Sequence, residues 1–71
     1  MVYVVKIRRE REHLAMAMSG IREWLDTQGF EPNAFRCVTD DDSVTFRLEF
    51  KSESAAASCA SAFGGQLSSI G

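Results

Sequence analysis

The side chains able to do chemistry in this chain are few and scattered. His13 has no cysteine or second histidine near it in sequence. Spacing alone therefore builds neither a metal-ligand set nor a nucleophile–base pair around it. Cys37 and Cys59 do not form a C-x-x-C pair, and both fall at apolar-looking positions. Reduced thiols in the core are the expectation, with a disulfide as the alternative. Asp40, Asp41 and Asp42 are consecutive, whereas a calcium loop needs spaced oxygen ligands and a glycine at its sharp turn. The run reads as an acidic turn whose carboxylates bond their own backbone. What remains is a basic concentration, Lys6, Arg8, Arg9 and Arg11, with Glu10 and Glu12 interleaved. Placed near the start of a helix, it is a candidate anion site for a phosphate or carboxylate, with Arg8 and Arg9 as the foremost contacts. No activated nucleophile, paired carboxylates or glycine-rich phosphate cradle is legible. The expectation is a non-enzyme, with no catalytic residue, no metal and no cofactor.

Composition bounds the setting. Seventy-one residues make a single domain, 1–71, that buries only about 60% of its unfolded surface. An apolar fraction of 45% beside 25% charged residues fits a folded domain rather than a disordered one. The net charge of −2 provides no global field toward nucleic acid or an anionic membrane. The opening M-V-Y-V-V-K-I-R-R has an apolar run too short for a signal peptide, and no stretch approaches a membrane span. A cytoplasmic protein with no membrane partner is expected.

The elements that must position these residues follow from periodicity. Ser43–Phe50 reads S-V-T-F-R-L-E-F, with Val44, Phe46, Leu48 and Phe50 alternating with Ser43, Thr45, Arg47 and Glu49. A period of two predicts a half-buried strand. Val2–Ile7 predicts another; Lys6 facing water sends Tyr3, Val5 and Ile7 inward and Val2 and Val4 outward, and the opposite register stays open because a short apolar run does not fix it. Arg8–Arg11 is then a charged connection, and Glu10 and Glu12 suit the dipole of the helix that follows. Leu14, Ala17, Met18, Ile21, Trp24 and Leu25 recur at three- and four-residue steps and give that helix an apolar stripe, with Met16 off it. Gly20 inside the helix suggests close packing; Gly29 stops the helix, with Pro32 just beyond. Ala34–Thr39 predicts a strand with Phe35 and Cys37 on one face and Arg36 and Val38 on the other. A turn over Thr39–Ser43 closes the hairpin. Ser52 is a predicted N-cap for a second helix over Ser54–Phe63, with Ala56, Cys59, Ala60 and Phe63 on one face. Gly64-Gly65 ends it. Residues 66–71 are a short edge strand anchored by Leu67 or a disordered tail.

Strand, helix, strand, strand, helix and a last strand is the order of a ferredoxin-like, or split βαβ, plait. This α+β fold, βαββα(β), has an antiparallel sheet with two helices on one face, leaving the other face open. Without the last strand, the first strand would be an exposed edge inviting a partner.

Two segments carry a family likeness. F-R-L-E-F-K-S-E-S-A-A-A-S-C-A-S-A-F-G-G resembles the strand-into-helix rhythm of RNA-recognition motifs, and V-Y-V-V-K-I resembles their first-strand motif. The resemblance implies single-stranded nucleic-acid binding with Tyr3 as a stacking residue. It departs at Thr45 and Arg47, where that family carries aromatics for base stacking. Acylphosphatase-type plaits also place an arginine after the first strand, but their glycine-bearing loop is absent. The metal-carrying plaits depend on C-x-x-C where this chain reads I-R-R-E-R-E-H, and ACT-type regulatory plaits on a glycine-rich turn that is missing.

Two functional expectations follow. The first is a small regulatory or interaction module that self-associates as a homodimer, or binds another protein, through the open sheet face. Its interface candidates are Val2, Val4, Thr45, Arg47 and Glu49. The second is a single-stranded nucleic-acid or anionic-ligand module using the same face and the basic loop, with Lys6, Arg8, Arg9, Arg11 and Arg47 as contacts.

Overall fold

The structure, a computed structural model, describes residues 1–70. Strand β1 spans Val2–Glu10 and leads through a 3-10 turn, Arg11–His13, into helix α1, Leu14–Gln28. Strands β2, Ala34–Thr39, and β3, Ser43–Phe50, form a hairpin; helix α2, Glu53–Phe63, and strand β4, Gln66–Ile70, follow. All strand pairs are antiparallel, in the order β2-β3-β1-β4. The two most apolar strands are therefore central, where each is paired on both sides.

The alternation in β3 sets the layers. Val44, Phe46, Leu48 and Phe50 are at most 2% exposed, while Thr45, Arg47 and Glu49 between them are half-buried on the other face. Tyr3, Val5 and Ile7 of β1 join the same core, as their parity predicts. Ile21 and Leu25 of α1 and Ala55, Ala56 and Cys59 of α2 cover it, and Phe35 meets Phe46 edge-on. Trp24 lies 5.6 Å from both Phe30 and Phe63, joining the ends of the two helices. Ser52 caps α2 by accepting from Ala55 N–H at 3.3 Å. No helix is long and apolar enough to cross a membrane.

Several expectations are corrected. β1 does not stop at Ile7: β3 continues as a template, so Arg8, Arg9 and Glu10 pair with Thr45, Val44 and Ser43. Glu10 is thus a strand residue and Glu12 lies in the 3-10 turn, leaving no acid in the first turn of α1. Cys37 is exposed rather than core, because it sits on an edge strand whose last four residues are all exposed. Gly20 has no atom within 4 Å of where a Cβ would stand, so close packing does not explain it. Gly65 is the glycine that packing requires: a Cβ there would stand 2.8 Å from the Lys6 carbonyl oxygen. Gln66–Ile70 forms β4 along the edge of β1. Leu67 is 43% exposed there and anchors little. Gly71 lies outside the described residues.

Candidate anion-binding face

The sheet face turned away from the helices is built by alternate residues of the strands, and register arranges them in rows. Arg36 of β2 is opposite Arg47 of β3, Arg47 is opposite Lys6 of β1, and Lys6 is opposite Gln66 of β4. Toward the hairpin turn the next row is Val38, Thr45 and Arg8. On the other side it is Ala34, Glu49, Val4 and Ser68, with Val2 beyond. Lys6, Arg8, Arg36 and Arg47, four of the chain's eight lysines and arginines, share this face.

This row is electrostatically costly. Directly opposed side chains have Cβ atoms about 4.5–5.5 Å apart, and like charges so placed destabilise a sheet. Arg47 belongs to two such pairs, with Lys6 on one side and Arg36 on the other. Its Nε is buried and has no hydrogen-bond partner among the described residues. Glu49 Oε2 lies 3.9 Å away, an ion-pair distance too long for a hydrogen bond. Bringing an anion over the row would relieve the repulsion and pair with the exposed part of the Arg47 guanidinium, not with its buried Nε.

The basic cluster of the sequence is divided by the strand. Lys6 and Arg8 point to the open face, but Arg9 points inward and donates from Nη2 to the Phe63 carbonyl at 2.7 Å. That cation meets the negative end of α2, where it stabilises the helix. Arg11 turns to the acidic hairpin: its backbone N–H donates to Asp42 O at 3.1 Å and its Nη1 to Asp40 O at 3.4 Å. Arg9 and Arg11 are therefore occupied structurally. Arg36, absent from the sequence-derived candidates, takes their place. Centring the two-residue turn between Asp41 and Asp42 sets Arg36 against Arg47, so the hairpin register was the available signal.

Of the interface candidates, Val4 is only 1% exposed and offers no contact area, while Val2, Thr45, Arg47 and Glu49 are half-buried. Tyr3 packs against the core, so the stacking role implied by the RNA-recognition likeness has no residue on the open face. The face ends in a recess of about 370 Å³ lined by Lys6, Arg8, Thr45, Gly64 and Gln66. A second concavity, about 700 Å³, is lined by Glu10, Arg11, Glu12, Asp41 and Asp42. Beside it His13 Nδ1 lies 3.9 Å from Glu10 and its Nε2 3.8 Å from Glu12, an exposed trio that spacing alone did not bring together. Arg11 stands among the same carboxylates as a built-in counter-charge. Comparison with protein-family models, curated proteins and solved structures gives no match.

Proposed function

We propose that this protein is a non-catalytic binding module whose working surface is the open sheet face. Its ligand is a phosphate-bearing polyanion such as single-stranded nucleic acid, held by backbone charge rather than base stacking. The observation that carries this reading is the register row Lys6, Arg47 and Arg36, with Arg8 one row away. Glu49, 3.9 Å from Arg47, offsets part of this like-charge row, and an anion lying over the row would offset the rest. The strand order β2-β3-β1-β4, with both helices contributing to one core, supports reading the fold as a ferredoxin-like plait. In such a plait the uncovered face is free to receive a partner.

The test is anisotropy of a dye-labelled oligothymidylate at a series of salt concentrations. Four phosphate contacts on a single strand give a slope of log affinity against log salt of about −3. Each of Arg36→Gln, Arg47→Gln and Lys6→Gln should reduce that slope by about 0.7. Affinity unchanged in the triple substitution, with the fold verified by circular dichroism, would remove this face as the binding surface.

Self-association through the same face is the second reading, favoured by the Arg47–Glu49 pair. Opposite charges on one patch can pair across a two-fold axis, because such an interface is self-complementary. Light scattering after gel filtration decides it: a monomer at high micromolar concentration rules it out.

A further inference from the structure

We infer that the recess beside Lys6 and Arg8 recognises a terminal phosphate monoester, so that the open face binds the end of an anionic chain. This rests on the proposed polyanion function and adds to it where the chain stops. β4 pairs with β1 only as far as Lys6↔Gln66, whereas β1 runs on to Glu10. Past Lys6 the sheet therefore loses a strand, and the turn between α2 and β4 stands at the end of the gap. Lys6, Arg8, Thr45, Gly64 and Gln66 line the recess left there. Its volume of about 370 Å³ is at the small end of ligand sites.

Two features select an end over a passing chain. A polyanion crossing Thr45 toward Arg8 meets the Gly64 turn instead of a fourth strand, because β4 pairs with β1 no further than Lys6. The lining also concentrates charge. Lys6 and Arg8 are two residues apart on the same face of one strand, about 6.4–6.8 Å along it. With them are a hydroxyl from Thr45 and an amide from Gln66, and no carboxylate lines the recess among the described residues. A phosphodiester carries one negative charge, but a monoester carries about −1.5 to −2 at neutral pH, with its second pKa near 6. Two cations with neutral donors match the monoester. The concavity at the C-terminal end of β1, which starts at Glu10 two residues past Arg8, is lined by Glu10, Glu12, Asp41 and Asp42 with a single guanidinium and has the opposite character.

The test compares one oligothymidylate bearing a 5′-phosphate, a 3′-phosphate or hydroxyls at both ends, with inorganic phosphate as a separate probe. At pH 7.5 one phosphorylated end should bind about tenfold more tightly than the hydroxyl form, and that advantage should shrink at pH 5.5. Arg8→Gln and Thr45→Val should abolish the advantage, whereas Arg36→Gln should weaken all forms alike. Inorganic phosphate that erases the advantage at millimolar concentration identifies a free phosphate as a ligand in its own right. An advantage that survives it assigns the recess to a chain end. Equal, salt-sensitive affinity for all three oligonucleotides overturns the recess inference and leaves the polyanion reading standing. Salt-insensitive or absent binding of every form overturns both.

Discussion

A methyl group added at Gly65 and one added at Gly20 should have opposite effects. At Gly65 it would stand 2.8 Å from the Lys6 carbonyl and 3.1 Å from Ile7 Cγ1, so Gly65→Ala should cost about 1–3 kcal/mol in urea denaturation. At Gly20 it meets nothing within 4 Å, and Gly20→Ala should add about 1 kcal/mol through helix propensity. Sequence marks both as glycines but not which one is crowded, since that depends on where α2 delivers the chain onto β1. The cysteines divide similarly. Cys59 was legible as a core thiol; Cys37 carries the inward parity of β2, but parity does not reveal that the helices leave that edge uncovered. A thiol reagent should label Cys37 in the native protein and Cys59 only on unfolding. Burial raises the Cys59 thiol from 9.0 to about 11. Its unfolded form therefore loses the proton first, so stability conferred by the buried thiol is intact below pH 9 and declines as pH rises toward 11. Cys59→Ala should flatten that part of a stability–pH profile, and an unchanged slope would place the alkaline loss elsewhere.

Elements owe their limits to pairing as much as to pattern. The apolar run of β1 ends at Ile7, yet the strand continues for three residues because β3 supplies partners for them. That extension decides the fate of each arginine: Arg8 faces out, and Arg9 faces in to cap α2. Removing the cap in Arg9→Met should cost about 1–2 kcal/mol and speed amide exchange in the last turn of α2. Exchange faster across the whole chain, with none specific to α2, would mean that the contact does not act as a cap. The central row predicts the reverse sign. Arg47→Gln removes two like-charge pairs against one ion pair with Glu49, so at low salt it should stabilise the sheet by a net of about 0.5 kcal/mol while weakening polyanion binding. Denaturation and binding measured on one variant thus separate a functional charge from a structural one. Both helices and the period of β3 were legible because an apolar stripe and strict alternation each have one spatial solution. The start of α1 was not, since acids near Arg11 suit a helix dipole as well as they suit the end of a strand.

Viewed as a whole, the molecule is polarised in a way that a net charge of −2 conceals. The hairpin turn and the end of β1 gather Asp41, Asp42, Glu10 and Glu12, while Lys6, Arg8, Arg36 and Arg47 occupy the sheet face. Summed charge carries no record of this segregation; it emerges only when the register of three strands is known. The face therefore contains one residue, Arg36, that sequence reasoning placed outward without assigning it a role. It lacks two, Arg9 and Arg11, that reasoning counted in. The most direct test is a 15N–1H titration with a single-stranded oligonucleotide at low salt, preceded by dilution of the protein alone. Polyanion binding at the sheet face predicts shifts at Lys6, Arg8, Arg36, Thr45 and Arg47 that fade as salt rises, and none at these positions on dilution. Shifts confined to Asp40–Asp42 or the helices, or no response to the oligonucleotide, would contradict it.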